Sequence, residues 1–387
     1  MASRAKQRGL DESRLRHLKA AIEDDIKRGR YYGAVILVAR SGVVGLHEAI
    51  GFIEPEKKPP IRKSSVFSLF STTKAFTSVL VMRAIERGEF ALTTRVCEII
   101  REFSGGQREQ INFFHLLTHS SGLPSVFTPR EGMYIDRLDE IIAAICENVH
   151  SVAAPGEVIN YSPLAGHALM GEAVRRSDPK KRSYRQLVED ELFKPLKMKD
   201  SSIGVRKNLK PRKIIPIFMQ PFPVVHPGHS NLGPNGAFEE EKAEMPWVGA
   251  VSTVADMFRF AEMLRRGGEL DGARILSPAM LDLAARNWTG DKPNELYRKL
   301  VEPRGWGAFP AYQGLGFQVR GETIVHHLFG TLTSPRTFGN YGAGSSLFWI
   351  DPVAQVTFVC LSAGVMNGVD NIERFQRLSD IAISAAT

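Results

Sequence analysis

The chain has 387 residues, of which 43% are hydrophobic and 24% charged, the composition of a soluble globular protein with one large or two closely packed domains. Its net charge of +8 is compatible with a nucleic-acid partner, but the basic residues are scattered among 42 acidic ones without a run of five like charges. We therefore expect no nucleic-acid binding and, because no apolar stretch of about 18 residues occurs, no membrane span.

The cysteines and the N-terminal segment predict the compartment. Cys97, Cys146 and Cys360 have no metal-ligand spacing, and a sparse, odd count is typical of free thiols in a reducing environment. The N-terminal segment is basic, but no apolar region follows it, so it does not resemble a secretory signal. The sequence therefore predicts a cytoplasmic protein.

The N-terminal part of the chain predicts a helix, a hairpin and a short strand. Apolar residues recur at three-to-four spacing over residues 12–28, which indicates an amphipathic helix. Two β-rich runs, residues 34–39 and 43–52, flank the turn Arg40-Ser41-Gly42 and predict a hairpin. A short strand over residues 66–70 then leads into a helix that begins near Ser71.

The middle of the chain is mostly helical, and strands return near the C-terminus. Amphipathic patterns predict helices over residues 137–149, 164–176 and 183–196, and a loop-rich segment with many Pro and Gly occupies residues 204–246. A further helix follows Ser252, its predicted N-cap, and ends at Gly267-Gly268. Two strands joined by an Asp-Pro turn within residues 345–364 and a helix over residues 371–386 complete the chain.

This order of elements predicts an α+β fold. A helix and a hairpin precede the helical middle, and a hairpin and a helix follow it. We therefore expect one antiparallel sheet built from both chain ends and flanked by the N- and C-terminal helices. Residues 1–75 and 245–387 are expected to form an α/β sandwich domain, and residues 76–244 an inserted, mostly helical domain.

Ser71 and Lys74 carry the strongest chemical signal. A hydroxyl and an amine three residues apart lie on one face of a helix, at an N-terminus whose N–H groups favour a developing oxyanion. Apolar neighbours would exclude water and lower the pKa of the amine, which could then deprotonate the hydroxyl. By itself the S-x-x-K spacing is weak, because an N-cap serine followed by a surface lysine gives the same pattern.

Two further motifs bear on the same chemistry. Tyr161 lies in a loop between a Pro-Gly turn and a helix, where a phenol is able to relay protons, although a half-buried packing tyrosine would look the same. Asn340-Tyr341-Gly342 comes just before an apolar strand, where its backbone would form the edge of a cleft. Gly342 would there let a substrate approach closely.

The chain resembles the serine β-lactamase and penicillin-binding superfamily over about residues 33–364. The resemblance rests on the three motifs above, in this order, and on four further segments: LLTHSSGLP, VSTVADMFRFAEML, GGELDGARILSP and IDPVAQVTFVCLSAG. Within the superfamily the class C-like esterases, the family VIII carboxylesterases, are most similar. The resemblance implies a β-lactamase-like fold, in which an α/β sandwich domain joins an all-helical domain with the active site between them.

The resemblance also implies roles for individual residues. Ser71 matches the acylated nucleophile, Lys74 the amine that helps to deprotonate it, and Tyr161 the residue that carries the proton to and from the leaving group. The backbone N–H groups of Ser71 and Ala343 match the oxyanion hole. The candidate substrate-binding residues are Asn340, Tyr341, Gly342 and Ser162. Which of Lys74 and Tyr161 is the base stays open, because the two titrate as a coupled pair. No metal or organic cofactor is implied.

Three departures from the family pattern shift the expected activity. Members that process penicillins usually carry Lys or His, then Thr and Gly, where this chain has Asn340-Tyr341-Gly342, and that cation binds the substrate carboxylate. The second residue after the tyrosine is usually Asn but here is Pro163, for which the hydroxyl of Ser162 is a partial substitute. The export signal of a periplasmic lactamase is not recognisable.

We therefore expect a serine hydrolase that cleaves uncharged, small-molecule carboxylic esters through an acyl-enzyme on Ser71. A β-lactamase, a D-Ala-D-Ala peptidase or an acyltransferase of the same fold stays open, as does a penicillin-binding relative without catalysis. His115 and His119 share a helix face, but without a third ligand they predict no metal site. The Phe- and Pro-rich residues 217–227 are a candidate apolar wall, whereas the natural ester and the oligomeric state cannot be read from the sequence.

Overall fold

The structure is a computed structural model that describes residues 9–56, 58–219 and 236–387. Its strands, in chain order, are β1 (Gly33–Arg40), β2 (Val43–Gly51), β3 (Phe67–Ser68), β4 (Ser202–Ile203), β5 (Ala250–Ser252), β6 (Glu269–Leu270), β7 (Ala273–Arg274), β8 (Gln318–Val319), β9 (Phe338–Gly342), β10 (Ser346–Asp351) and β11 (Val356–Ala363). Its α-helices are α1 (Glu12–Lys27), α2 (Lys74–Glu86), α3 (Val96–Ile99), α4 (Phe113–Leu117), α5 (Leu138–Asn148), α6 (Ala165–Ser177), α7 (Tyr184–Val188), α8 (Val254–Arg265), α9 (Pro278–Ala284), α10 (Glu295–Val301) and α11 (Gly368–Ile383). None of the described helices combines the length and the apolar character needed to cross a membrane.

The main sheet has six strands in the order β2-β1-β11-β10-β9-β8, and each neighbouring pair is antiparallel. Its central pair, β1 and β11, joins the two ends of the chain, with Gly33 opposite Ala363 and Arg40 opposite Val356. The predicted α+β fold, with one antiparallel sheet built from both chain ends, is therefore confirmed. A small sheet of order β3-β5-β4 was not predicted. The domain boundaries at residues 75 and 245 stay a prediction.

Helices cover both faces of the main sheet, which explains why β1 is apolar at nearly every position. Ala34, Ile36 and Val38 pack into a cluster with α1 and α11. Val35 and Leu37, which alternate with them, pack into the larger cluster that contains α8. Because successive side chains of a strand point to opposite faces, a strand is apolar throughout only when both faces are buried.

The segment that carries the predicted nucleophile differs in detail from the prediction. The strand expected over residues 66–70 is reduced to the two residues of β3, and a 3₁₀ turn (Phe70–Thr73) follows it and contains Ser71. The α-helix begins only at Lys74. Most residues of α2 are buried, and it packs against α6 and α7, so it has no polar stripe of the kind that a surface helix carries.

Other predicted boundaries also need correction. Ser252 is the last residue of β5, and the N-cap of α8 is Thr253, whose Oγ1 accepts a hydrogen bond from the N–H of Asp256 at 3.2 Å. Asn340-Tyr341-Gly342 precedes the apolar strand β10, as expected, and itself forms the end of β9, a strand that the sequence did not predict. The helix predicted over residues 183–196 consists of α7 and a π-helical turn at Glu189–Phe193. Within the loop-rich segment 204–246, residues 220–235 lie outside the described residues.

Candidate active site

Ser71 lies in a backbone turn that packing holds in a strained conformation. Phe70, the residue before it, has a φ of +50°, which costs a non-glycine residue roughly 1–3 kcal/mol. The ring of Phe70 packs against Phe238, with ring centroids 5.0 Å apart, and lies so close to Gly344 that a Cβ there would approach the ring to 2.1 Å. These contacts hold the turn so that Ser71, only partly buried, faces a cavity.

The amine of Lys74 is enclosed beside Ser71. The residue is only 3% exposed. Its Nζ donates hydrogen bonds to the carbonyls of Pro163 at 2.8 Å and Trp247 at 3.0 Å, and it lies 3.1 Å from Ser71 Oγ. Among the described residues no carboxylate forms an ion pair with it. Because burial without a counter-charge disfavours an ammonium ion, the pKa of Lys74 is held well below its usual value.

The contacts of Lys74 fit a neutral amine. Such an amine has two N–H donors and one lone pair, and the carbonyls of Pro163 and Trp247 take both donors. The lone pair is then left facing the hydroxyl of Ser71. Lys74 is therefore placed to accept the hydroxyl proton. Pro163, which lacks the side-chain amide usual at its position, contributes through its backbone carbonyl instead.

Tyr161 contacts the nucleophile as well. Its Oη–H donates a hydrogen bond to Ser71 Oγ at 2.7 Å, and Lys74 Nζ lies 5.2 Å from the centroid of its ring. Burial raises the pKa of Tyr161 above its usual value, so the phenol is protonated at neutral pH. The structure thus brings the three predicted catalytic residues together in one hydrogen-bonded group.

Hydrogen bonds from neighbouring polar residues fix the loop that carries Tyr161. Ser125 Oγ donates a hydrogen bond to the carbonyl of Tyr161 at 2.6 Å, and the N–H of Ser162 donates to Nδ1 of His119 at 3.3 Å. The rings of His119 and Tyr161 lie 4.8 Å apart. Burial lowers the pKa of His119 to about 3. His119 is therefore a neutral hydrogen-bond acceptor that positions the loop.

The end of β9 is tied to the turn that carries the nucleophile. The hydroxyls of Thr72 and Ser346 lie 2.9 Å apart, and Ser346 Oγ donates a hydrogen bond to the carbonyl of Leu69 at 2.8 Å. Ala343 directly follows β9 and lines the same cavity as Ser71. An oxyanion hole needs two N–H groups held at fixed positions beside the nucleophile. The assignment of the N–H groups of Ser71 and Ala343 to this role stays a prediction.

Two of the predicted substrate-binding residues lie side by side on β9 but face different partners. Tyr341 lines the cavity, and its hydroxyl accepts a hydrogen bond from Asn371 Nδ2 at 3.0 Å. Asn340 is buried and donates through Nδ2 to the carbonyl of Gly316 at 3.1 Å. Alternation along the strand explains the difference. Only Tyr341 of this pair is placed for contact with a substrate.

Gly342 and Ser162, the other two predicted substrate-binding residues, serve the packing of the protein itself. A Cβ on Gly342 would lie 2.2 Å from the carbonyl oxygen of Leu69, so the missing side chain admits the protein backbone rather than a substrate. Ser162 is buried, and its Oγ accepts a hydrogen bond from the N–H of Gly166 at 3.0 Å, at the start of α6. These placements disfavour the substrate contacts that we expected from the sequence.

A cavity of about 410 Å³ opens at Ser71, within the range of roughly 300–1,000 Å³ that is typical of small-molecule sites. Leu296, Leu300 and Pro303, from α10 and the turn after it, form one of its walls. Sequence reasoning missed this wall, because the spacing of its apolar residues indicates a helix face but not the direction in which that face turns. The apolar wall predicted from residues 217–227 falls mostly outside the described residues.

The histidines that were considered as metal ligands have other partners. His115 Nδ1 accepts a hydrogen bond from the N–H of Asn112 at 3.3 Å, at the start of α4, while His119 contacts the tyrosine loop. Within the described ranges, no three or more His, Cys, Asp or Glu side chains are grouped so as to hold a metal ion.

A comparison with known proteins decides the family. The model of the family described as Beta-lactamase matches residues 18–383, nearly the whole chain. The chain belongs to the Beta-lactamase family. It is thus a member of the serine β-lactamase and penicillin-binding superfamily of serine hydrolases, and the resemblance drawn from its motifs is confirmed.

The chain is similar, in sequence or in fold, to proteins with different names. Protein flp of Staphylococcus aureus (strain MW2) is 30% identical over 187 residues, which cover 47% of this chain and only 36% of that protein's length. A penicillin-binding protein homologue from Caulobacter crescentus has a TM-score of 0.78 at 23% identity, covering 96% of this chain and 97% of its own. A family VIII carboxylesterase has a TM-score of 0.76 at 19% identity, covering 95% and 97%. At such identities the two structures show the fold.

Proposed function

We propose that the protein is a serine carboxylesterase that forms an acyl-enzyme on Ser71. The observation that carries this proposal is the buried amine of Lys74, whose Nζ lies 3.1 Å from Ser71 Oγ and donates hydrogen bonds to two carbonyls. Burying an unpaired amine costs free energy, and such perturbed groups cluster at functional sites, where this one acts as a base. The similarity in fold to a family VIII carboxylesterase adds support.

Acylation begins when Ser71 Oγ attacks the carbonyl carbon of the ester and Lys74 Nζ takes the hydroxyl proton. The N–H groups of Ser71 and Ala343 stabilise the negative charge on the carbonyl oxygen. When the bond to the alcohol oxygen breaks, Tyr161 Oη gives that oxygen its proton, and the ammonium of Lys74 restores the phenol. The net result places the acyl group on Ser71 and the serine proton on the alcohol.

Deacylation reverses the proton path with water in place of the alcohol. Water attacks the acyl carbon and gives a proton to Tyr161 Oη, whose own proton passes to Lys74 Nζ. The bond to Ser71 Oγ then breaks, the oxygen recovers that proton, and the carboxylic acid leaves. The lowered pKa of Lys74 and the raised pKa of Tyr161 support these roles at rest, with the amine as the base and the phenol as the proton carrier.

The end of β9 favours an ester over a penicillin as the substrate. Asn340 stands where the resemblance expects a cation that binds a carboxylate, and its amide donates to Gly316 rather than into the cavity. The cations among the described lining residues, Lys299 and Arg304, lie instead on the wall formed by α10 and the turn after it. Arg304 is also neutralised by an ion pair with Asp370. An uncharged ester needs no cation on this strand.

Hydrolysis of p-nitrophenyl butyrate and of nitrocefin by one preparation tests the proposal. We expect faster turnover of the ester, no turnover by Ser71→Ala, and wild-type turnover by Ser64→Ala, a matched change at an exposed serine. Faster turnover of nitrocefin would replace the esterase assignment by a β-lactamase. Product analysis with added butanol separates hydrolysis from acyl transfer. A fluorophosphonate probe should label Ser71, and the absence of an adduct would indicate a relative without catalysis.

A further inference from the structure

One wall of the cavity carries an apolar stripe. Leu296, Leu300 and Pro303 are spaced by four and then three residues, so they lie on one face of α10 and the turn after it. All three line the cavity that contains Ser71. With a rise of about 1.5 Å per residue, these three residues, the apolar stripe, extend over roughly 10 Å.

Among the residues that the structure describes, the apolar stripe has no partner in the protein core. Leu296 and Leu300 are only partly buried, and neither belongs to a hydrophobic cluster of the described residues. Val369, from the first turn of α11, and Phe127, which is 38% exposed, add further apolar surface to the same cavity. Apolar side chains that converge on a cavity beside a nucleophile form a surface that a ligand covers.

Contacts at both ends hold the apolar stripe in place relative to the catalytic group. At the N-terminal end, the N–H of Glu295 donates a hydrogen bond at 2.9 Å to the carbonyl of Ile159, two residues before Tyr161. At the C-terminal end, Arg304 forms ion pairs with residues of α11, including Asp370. The stripe therefore begins close to the loop of the catalytic tyrosine and runs away from it along the helix.

We propose that the apolar stripe binds a hydrocarbon chain of the substrate ester and that Leu300 sets the longest chain that fits. This inference rests on the proposed function, because the carbonyl at the head of the chain must reach Ser71. Leu300 lies one helical turn, about 6 Å, beyond Leu296, so a larger side chain there shortens the subsite and leaves room for short chains. The length of the stripe is roughly that of an extended octanoyl chain.

Rates on two series of esters test the proposal and show which side of the ester the stripe binds. In p-nitrophenyl esters from acetyl to dodecanoyl the acyl chain varies, and in acetates of ethanol to decanol the alcohol chain varies. For the series that occupies the stripe, the wild-type kcat/KM should rise by up to about fourfold per methylene, towards an optimum near octanoyl or octyl. A series that does not occupy it should show a flat profile.

Substitutions at Leu300 should move this optimum in opposite directions. Leu300→Trp should lower the ratio of kcat/KM for the octanoyl (or octyl) ester over the shortest ester by at least about tenfold. Leu300→Ala should move the optimum to longer chains. Leu332→Trp, the same change at a leucine that is 64% exposed and outside the cavity, should leave the profile unchanged.

Two further measurements keep the test decisive. Val369→Trp fills the cavity from another helix and should also shorten the preferred chain, which covers the case in which Leu300→Trp does not fold. The rate at which alkyl fluorophosphonates of increasing length label Ser71 reports the same preference without turnover. Flat profiles in both series, or profiles that neither tryptophan changes, would overturn the inference even if esters are hydrolysed. Chain-dependent labelling without ester turnover would instead support the stripe and contradict the proposed function.

Discussion

Replacing Lys74 by Met tests whether the amine is neutral in the folded protein. If it is, the difference between the free energies of unfolding of wild type and variant changes with pH. The usual pKa of a lysine, 10.5, applies in the unfolded chain, whereas burial holds the pKa in the folded protein well below it. Between these two values the unfolded chain binds one proton that the folded chain does not. The free energy of unfolding therefore rises with pH up to 10.5, by about 1.4 kcal/mol per pH unit, and falls as the pH falls. The methionine variant lacks this contribution.

The substitution has two opposing effects on stability. Lys74→Met removes the cost of losing a proton on folding, a cost that grows as the pH falls because burial holds the pKa of Lys74 well below 10.5. It also leaves the carbonyls of Pro163 and Trp247 without their donor, at roughly 1–3 kcal/mol each at every pH. We therefore expect the variant to gain stability relative to the wild type as the pH falls and to lose it as the pH rises, with kcat reduced by about 10²–10⁴.

Urea unfolding from about pH 6.5 to 9.5 measures this difference, provided that both proteins unfold in a single transition. Lys199→Met, at an exposed lysine, is the matched control and should keep the wild-type dependence on pH. A stability difference between wild type and Lys74→Met that stays constant over this range would refute the reasoning, because it would mean that the folded protein keeps the proton on Lys74.

Three further substitutions separate chemistry from packing. Tyr161→Phe should lower kcat by about 10²–10⁴. Tyr31→Phe also removes a buried hydroxyl, and it should lower the free energy of unfolding by about 0.5–3 kcal/mol but leave kcat unchanged. Equal losses of kcat in the two variants would contradict the role of Tyr161. Gly342→Ala brings a Cβ to 2.2 Å from the carbonyl oxygen of Leu69 and should lower Tm by several degrees. An unchanged Tm in calorimetry would show that the backbone of Leu69 does not pack closely against Gly342. Ser162→Ala removes the acceptor of the Gly166 N–H in the first turn of α6 and should cost about 1 kcal/mol in chemical unfolding. An increased KM would instead support the predicted contact of Ser162 with the substrate.

Patterns that act over a few residues were read correctly from the sequence. The apolar run of β1 and the three-to-four spacing in α1 predicted their elements because strands and helices repeat every two and every 3.6 residues. Ser71 and Lys74 are separated by one helical turn, so their contact is local. The start of the helix near Ser71 was not predicted correctly, because the same residues are able to form a 3₁₀ turn or an α-helix. The backbone conformation of Phe70 depends on its packing against Phe238, which is distant in sequence.

The roles of Gly342 and α10 show where local patterns fail. Gly342 was expected to admit a substrate, but its missing Cβ faces the carbonyl of Leu69, which lies far away in sequence. Likewise, nothing in the spacing of Leu296 and Leu300 shows that the apolar face of α10 turns towards Ser71 rather than towards the core. Both facts depend on how distant segments approach each other, and side-chain periodicity carries no information about that.

By itself the sequence predicted most of the elements, because they follow from residue types at regular spacings. Through the resemblance of its motifs it also predicted the family and the candidate residues Ser71, Lys74 and Tyr161. Only the tertiary structure showed that burial lowers the pKa of the Lys74 amine. Its Nζ donates hydrogen bonds to the carbonyls of Pro163 and Trp247, which lie 89 and 173 residues away along the chain. A pKa depends on what surrounds a group in space, and for Lys74 those surroundings come from segments that only the folded chain brings together.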